Sequence, residues 1–180
     1  MVSLVRAMKG DFPARCVLVM SNVPDAGGLA KARALGIPAL ALDHRDFDTR
    51  AAFDDAVDAA LVAAGAEFVC LAGFMRILGP EIADKWQNRM LNIHPSLLPK
   101  YPGLNTHARA LAANDSEAGC SVHWVTAGLD DGPLVGQARV PVLPQDTPQT
   151  LAARVLQKEH ILYPRALAAA LTGTDTPVSL

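Results

Sequence analysis

The residues of this chain best suited to chemistry are an asparagine and a histidine two positions apart, Asn92 and His94. Side chains two residues apart in a strand point to the same face, so a buried strand over residues 90–93 brings the amide and the imidazole together at its end. Two hydrogen-bonding groups then meet one substrate atom. Three prolines follow, at Pro95, Pro99 and Pro102. Proline fixes the backbone φ angle and removes an N–H donor, which suits a loop held in one shape around a ligand.

The composition bounds the kind of protein that positions these groups. At 180 residues, with 51% hydrophobic and 19% charged residues, the chain fits one globular domain with a single core. The net charge is −2 and the 16 lysines and arginines are scattered, so no basic stripe indicates a nucleic-acid partner. We therefore expect small-molecule substrates.

The cysteines and the apolar runs bear on where the protein works. Cys16, Cys70 and Cys120 are far apart and odd in number, which favours free thiols in a reducing compartment over a disulfide framework. No signal peptide is visible, and no apolar run approaches the roughly 20 residues needed to cross a bilayer. We expect a cytoplasmic protein without a membrane partner.

Predicted strands alternate with predicted helices, as in an α/β fold. The predicted strands cover residues 16–21, 39–42, 67–71 and 90–93, and the predicted helices cover residues 28–35, 49–64 and 106–113. Strands that are apolar throughout indicate a doubly wound, mostly parallel sheet covered on both faces. Residues 121–125 and 134–142 predict an antiparallel strand pair, and residues 147–171 predict a long C-terminal helix, bent or interrupted near Pro164. In such sheets ligands bind beyond the carboxyl ends of the strands, where Gly73 and His94 fall.

Three segments together resemble the phosphoribosylglycinamide formyltransferase family. They are NIHPSLLPKYPGLNTH at residues 92–107, AGFMRIL at residues 72–78 and LDDGP at residues 129–133. The resemblance extends over residues 1–171 with consistent spacing. It implies transfer of a formyl group from 10-formyltetrahydrofolate, the co-substrate, to the amine of glycinamide ribonucleotide in purine biosynthesis. It also implies that no metal is needed. The sequence leaves both a monomer and a homodimer open.

One departure from this family concerns the amino terminus. Family members open with a short strand and a loop of glycine, serine and asparagine that holds the substrate phosphate, whereas residues 1–8 correspond to the helix that follows. We therefore expect one formyltransferase domain over residues 1–180, truncated at its start. A start codon assigned too far downstream, a trimmed product and a paralogue without phosphate binding are all consistent with this. The neighbours of the absent strand are expected to face a slot, about 4.8 Å wide on each side, with unpaired backbone groups.

The resemblance assigns catalysis to Asn92, His94 and Asp130. Attack of an amine on the formyl carbon gives a tetrahedral species with a negative oxygen, and removing one hydrogen-bond donor from such an oxygen typically costs about 10²- to 10³-fold in rate. The imidazole can also pass protons between the amine and the leaving nitrogen. Asp130 favours the charged imidazole, although the adjacent Asp131, where the family usually has a small residue, is an alternative partner. Taken alone, Asn92 also fits a turn and His94 a core position.

The same resemblance implies binding roles elsewhere. Four residues correspond to the segment that receives the pterin ring of the folate, namely Met75, Arg76, Ile77 and Leu78, and Asn92 is expected to contact the folate as well. Arg50 matches a folate-binding residue and Glu159 one that meets the sugar hydroxyls of the nucleotide, although both also fit simple solvated positions. We expect His107, His123 and His160 to be structural. The five histidines of the chain also lack the spacing of metal ligands.

Two other functions remain open. A formyltetrahydrofolate hydrolase uses the same three residues but lets water attack, and the proline-rich segment favours the transferase over it. A catalytically silent folate-binding paralogue is the alternative from another class of protein, because the phosphate loop is absent from the sequence.

Overall fold

The computed structural model of the chain describes residues 1–174 and 176–180. Its helices are α1 (Val2–Ala7), α2 (Gly27–Ala34), α3 (Arg50–Ala63), α4 (Pro80–Lys85), α5 (Thr106–Ala112) and α6 (Pro148–Thr172). Its strands are β1 (Val19–Ser21), β2 (Ala39–Ala41), β3 (Val69–Leu71), β4 (Met90–His94), β5 (Glu117–Trp124), β6 (Leu134–Pro141) and β7 (Val178–Ser179). A 3₁₀ turn, His44–Asp46, precedes α3.

Local signals in the sequence explain where the two longest helices begin and end. The Thr49 hydroxyl accepts the Ala52 N–H at 3.1 Å and caps the start of α3. Thr147 and Thr150 bond each other's backbone in a capping box at the start of α6. Gly173 ends α6 with a positive φ of 69°, a conformation that glycine adopts without steric cost. The predicted interruption of this helix is absent, because α6 continues through Pro164.

The strands form two sheets, whereas the sequence predicted a mostly parallel sheet with a slot beside the absent strand. β1 and β2 pair in parallel, while the second sheet has the order β3-β4-β5-β6-β7. In that second sheet β3 pairs with β4, and β6 with β7, in parallel, whereas β5 is antiparallel to both β4 and β6. The predicted antiparallel pair is therefore confirmed, but β5 also joins β4. The chain is an α/β protein with a mixed sheet and a long C-terminal helix.

Helices cover both faces of the larger sheet. Met90 of β4 packs in a core cluster with Ile82 of α4 and with Trp86, the residue that follows this helix. Side chains of α3 complete that cluster. The next residue, Leu91, points to the opposite face and packs in the cluster built largely on β5, β6 and α6. Alternate residues of one strand thus anchor two layers of helices, which is the two-sided covering that the apolar runs indicated.

A cavity of about 420 Å³ separates the two sheets. Backbone segments 15–22 and 68–74 line it, together with side chains of α1 and α3. The predicted strand over residues 16–21 is shortened for this reason: Cys16, Val17 and Leu18 face the cavity, and only residues 19–21 have a strand partner. A strand edge without a neighbour lacks the ladder that would extend it.

The short elements α4 and β7 escaped prediction. α4 has only six residues, although Pro80 at its first position and Glu81 in its first turn are ordinary signals of a helix start. β7 has two residues and pairs with Gly136 and Gln137 at the edge of the sheet. Among the described helices, none has the length and hydropathy required to cross a membrane.

Candidate active site

The site lies at the carboxyl ends of β3 and β4. Leu71, the last residue of β3, is in register with Asn92 of β4, and His94 ends β4 two residues later on the same face. The Tyr163 hydroxyl of α6 lies 2.9 Å from the Leu71 carbonyl and 3.0 Å from the Leu91 carbonyl. Burial raises the pKa of Tyr163 well above its usual range, so the phenol keeps its proton and bridges the two strand ends.

The His94 ring is held between two oxygen atoms. It is 6% exposed, its Nε2–H donates to the Tyr101 carbonyl at 2.9 Å, and its Nδ1 lies 3.3 Å from Asp130 Oδ2. A carbonyl and a carboxylate only accept hydrogen bonds, so two N–H groups are needed to satisfy both contacts. The setting therefore suits an imidazole that carries a proton on each nitrogen.

Asp130, not Asp131, faces the histidine. Asp130 has a positive φ of 52°, and its Oδ2 also accepts the Gly103 N–H at 2.9 Å. Asp131 instead receives a hydrogen bond from the Thr126 hydroxyl within the same turn. The geometry brings Asn92, His94 and Asp130 together, and we call these three residues the trio.

His123 completes the cluster and was expected to be only structural. It faces Asn92 across the β4–β5 pairing, with its Nε2 3.2 Å from Asn92 Nδ2 and 3.5 Å from Asp130 Oδ1. Burial lowers the pKa of His123, and its Nδ1–H donates to the Trp124 carbonyl. A neutral His123 can thus accept an N–H of Asn92 and fix that amide. The signal that could have identified His123 is its position opposite Asn92 in the neighbouring strand. Reading that signal requires knowing that β5 pairs with β4.

Buried hydrogen bonds fix the proline-rich loop that follows β4. The Ser121 hydroxyl donates to the Ser96 carbonyl at 2.7 Å and accepts the Leu98 N–H at 3.1 Å. Gln137 Nε2 donates to the Leu98 carbonyl at 2.8 Å. These bonds come from β5 and β6, so the loop is attached to the sheet by side chains as well as by proline.

The predicted folate segment is a loop beyond β3 at the same edge of the sheet. Met75 is 75% exposed and Ile77 55% exposed, whereas Leu78 is 9% exposed and packs in the core beside α4. Gly73 turns the chain out of β3 with a φ of 72°. The Arg76 guanidinium lies 5.5 Å from the centre of the Phe53 ring. Residues 72–79, which we call the β3–α4 loop, therefore offer apolar surface next to the trio.

Asp54 of α3 holds the far end of the β3–α4 loop. It is 6% exposed, and its Oδ2 accepts the Gly79 N–H at 2.7 Å, while its Oδ1 has no hydrogen-bond partner among the described residues. Arg50 lies one turn earlier on α3 and is exposed. In the described part of the chain Arg50 forms no ion pair, so its guanidinium is available to an anionic ligand.

Glu159 lies on α6, away from any bonded contact with the trio. It is half-buried, and burial raises the pKa of its carboxyl group, opposed by the charge of the Met1 amino group. No hydrogen bond or ion pair within the described residues connects it to Asn92, His94 or Asp130.

The buried cysteine thiols are not suited to nucleophilic chemistry. Burial raises the pKa of the Cys70 and Cys120 thiols to about 12, so neither supplies a thiolate nucleophile near neutral pH. In the described residues, no group of three or more His, Cys, Asp or Glu side chains is arranged to hold a metal ion. What the trio can do is donate hydrogen bonds to a developing oxyanion and move protons.

Comparison with known protein families and structures gives a consistent result. A model of the formyl transferase family matches residues 2–167. The crystal structure of phosphoribosylglycinamide formyltransferase from Brucella melitensis superimposes with a TM-score of 0.90 and 49% sequence identity. That match covers 97% of this chain and 91% of the Brucella chain.

Curated relatives are of two lengths. The phosphoribosylglycinamide formyltransferase of Escherichia coli (strain K12) is 47% identical over 150 residues, or 83% of this chain and 71% of that protein. The trifunctional purine biosynthetic protein adenosine-3 of Drosophila melanogaster is 47% identical over 174 residues, or 97% of this chain. The chain spans only 13% of the length of that trifunctional protein.

Proposed function

Because the chain belongs to the formyl transferase family, and within it to the phosphoribosylglycinamide formyltransferases, we propose that it transfers a formyl group from 10-formyltetrahydrofolate to glycinamide ribonucleotide. The amine of the ribonucleotide attacks the formyl carbon, and the formyl group leaves the folate nitrogen. The product is formylglycinamide ribonucleotide, an intermediate of de novo purine biosynthesis.

The observation that carries this proposal is the convergence of the trio at one strand end. His94 supplies N–H groups beside the reacting carbon, and Asp130, 3.3 Å from its ring, stabilises the positive charge that makes those groups strong donors. The amide of Asn92 lies within the same cluster. Such fixed donors stabilise the tetrahedral oxyanion. The charged imidazole can give a proton to the leaving nitrogen, and the neutral ring can then take one from the attached amine.

The folate would lie along the β3–α4 loop. Its flat pterin ring can cover the exposed side chains of Met75 and Ile77, while the backbone of residues 76–78 pairs with the ring edge. Arg50 is exposed nearby and can pair with a carboxylate of the folate tail. Asn92, between this loop and His94, can contact the folate close to the group that is transferred.

Glu159 is proposed to bind the sugar hydroxyls of the nucleotide. A carboxylate is an acceptor for two hydroxyl donors, and half-burial limits competition from water. Its test is the Michaelis constant of Glu159→Gln, which should rise for the ribonucleotide and stay unchanged for the folate.

A direct assay separates this function from its alternatives. The chain is incubated with 10-formyltetrahydrofolate, with and without glycinamide ribonucleotide, and both the deformylated folate and the formylated nucleotide are measured. Transfer predicts that the two products appear in equal amounts and only with the nucleotide present. Deformylation that is independent of the nucleotide would identify a hydrolase. Folate binding by calorimetry without nucleotide binding or turnover would identify the silent binding protein.

We also propose that a strand from outside residues 1–180 fills the cavity between β1 and β3. The two strands line the same apolar cavity, and within the described residues neither has a partner on that side. A strand parallel to both would join the two sheets into one doubly wound, mostly parallel sheet. The family's phosphate-binding loop would then follow it, ahead of α1.

This proposal predicts a large gain in stability for a product extended upstream. At about 24 cal/mol per Å³ of empty apolar volume, a cavity of about 420 Å³ corresponds to at most roughly 10 kcal/mol. We expect the extended product to melt at a higher temperature, since each 1 kcal/mol gained shifts the midpoint of a domain of this size by about 2–4 °C. The control is an extension of equal length made of glycine and serine. Equal thermal midpoints for all three products would refute the proposal.

The cellular setting follows from the same function. We propose that the protein acts in the cytoplasm, as a monomer or a homodimer, on two small-molecule substrates. The three cysteines are free thiols, which is compatible with a reducing compartment.

A further inference from the structure

A chain of hydrogen bonds connects the His94 ring to a carboxylate outside the trio. We propose that Tyr101 and Asp115 are positioning residues for the transfer reaction: Asp115 holds Tyr101, and the Tyr101 carbonyl sets the orientation and the proton position of His94. For the reaction itself, this inference rests on the proposed formyl transfer. The hydrogen-bonded arrangement can be tested without it.

The inner end of this chain is the bond from His94 Nε2–H to the Tyr101 carbonyl, 2.9 Å long. Because the carbonyl can only accept, it fixes a hydrogen on Nε2 and leaves Nδ1 directed at Asp130. If Tyr101 moved, the ring could rotate away from this orientation. The contact between Nδ1 and Asp130 would then be lost together with the Tyr101 bond.

Tyr101 is in a backbone conformation that needs support. Its φ is +57°, in the left-handed region where a side chain other than that of glycine is strained by roughly 1–3 kcal/mol. The proline on its carboxyl side, Pro102, restricts the same residue further. Strain of this kind persists where surrounding contacts hold the residue in place.

Asp115 supplies those contacts from the turn between α5 and β5. Its Oδ2 accepts the Tyr101 hydroxyl at 2.8 Å and its Oδ1 accepts the Lys100 ammonium at 2.9 Å. The Arg109 guanidinium lies 5.1 Å from the centre of the Tyr101 ring and donates to the Pro102 carbonyl at 2.6 Å. The tyrosine is thus held at its hydroxyl, at its ring face and through the next residue.

The charges support a bond that persists at neutral pH. Hydrogen bonds from Lys100 and Tyr101 lower the pKa of Asp115, so its carboxyl group is ionised. The same carboxylate raises the pKa of Tyr101, so the phenol keeps the proton it donates. A charged acceptor makes the stronger kind of hydrogen bond, which suits a contact that must hold a strained residue.

The test uses Tyr101→Phe, which removes the hydroxyl and keeps the ring under Arg109, and Asp115→Ala. We expect each to lower kcat by about 10- to 100-fold, the effect of displacing a reacting group by about 1 Å, with both Michaelis constants within about threefold. The double variant should fall no further than the more impaired single variant, because both changes break one chain of contacts.

The matched control is Asp58→Ala. Asp58 accepts hydrogen bonds from the Lys85 ammonium and from the Trp86 ring N–H. Asp115 likewise accepts one from a lysine and one from an aromatic side chain. It lies on α3, away from His94. We expect a similar fall in thermal midpoint and a kcat within twofold of the parent protein.

A second measurement reports on the ring itself. In ¹⁵N NMR of the imidazole groups, Tyr101→Phe should shift both His94 nitrogens, while Asp58→Ala should leave them unchanged. Unchanged His94 resonances in Tyr101→Phe, or a loss of kcat that the control shares, would overturn the proposal. If the parent protein transfers no formyl group, the proposed function fails, but the NMR comparison still decides whether Tyr101 orients His94.

Discussion

The trio and the β3–α4 loop lie side by side at the ends of neighbouring strands, yet they differ in burial and in bonding. His94 is 6% exposed and bonded at both nitrogens, whereas Met75 is 75% exposed. Fixed donors in a water-poor setting suit charge that develops in a transition state. Open apolar surface suits a flat ligand that covers it on binding. The trio is therefore preorganised before the substrate binds, whereas the apolar surface of the β3–α4 loop is covered only when the ligand is bound.

This difference makes a kinetic prediction. An interaction made only in the transition state changes kcat, whereas an interaction made equally in the ground state changes the Michaelis constant. Changes in the trio should therefore act on kcat, and changes that loosen the β3–α4 loop should act on the Michaelis constant for the folate.

The largest expected effect is that of His94→Ala. We expect kcat to fall by about 10³-fold, because both an oxyanion donor and a proton-transfer group are lost. The dissociation constant of a folate analogue should stay within a few-fold. His160→Ala, which removes an exposed histidine of α6, is the control and should retain full turnover. Retained turnover in His94→Ala would remove the basis of the comparison.

Asp130→Asn should follow, with kcat lower by about 10²-fold. The change keeps an oxygen that can accept the Gly103 N–H and removes the charge that faces both His94 and His123. Asp131→Asn is the matched control, because Asp131 bonds Thr126 instead, and its kcat should stay within twofold. A greater loss in Asp131→Asn than in Asp130→Asn would reverse the assignment.

Asp54→Ala should have a smaller effect, and it should act on the Michaelis constant for the folate, not on kcat. The buried Gly79 N–H loses its acceptor, which costs about 1–3 kcal/mol of stability and loosens the end of the β3–α4 loop. We expect the Michaelis constant for the folate to rise several-fold with kcat within about threefold. Asp55→Ala, one residue away and exposed, should change neither. A fall in kcat alone would show that the loop and the trio are not separable.

Sequence reasoning succeeded where local rules decide the structure. The two-residue spacing of Asn92 and His94 placed both at the end of one strand, and the helix predicted over residues 49–64 is α3. Asp130 came from resemblance, since no local rule connects residue 130 to residue 94. Residue roles in catalysis remain predictions that the variants above test.

What the sequence could not supply depends on contacts between distant residues. The role of Tyr163 arises from carbonyl groups 92 and 72 residues away in the chain. His123 reaches Asn92 only because β5 pairs with β4 as well as with β6. The connection from Asp115 through Tyr101 to His94 needs Tyr101 in a left-handed backbone conformation, which no residue propensity favours for tyrosine.

The smallest expected effect is a pH dependence of stability that arises from His123, the buried histidine beside the trio. Burial lowers the pKa of His123 from the 6.5 of an unperturbed imidazole, so the folded state binds fewer protons there than the unfolded state. Stability then falls as the pH drops through 6.5 towards the folded pKa, at no more than about 1.4 kcal/mol per pH unit. Denaturant unfolding at pH 7.5 and pH 5.5 measures this loss.

His123→Gln should lose less stability over that interval than the parent protein, by up to about 1 kcal/mol. His160→Gln is the control and should behave as the parent, because its imidazole is exposed. The lowered pKa of His107 contributes equally to all three proteins and cancels in the difference. If His123→Gln and the parent lose the same stability, the His123 ring is not held neutral by burial. A charged His123 could not accept an N–H of Asn92, so its role as the acceptor that orients this amide would be wrong.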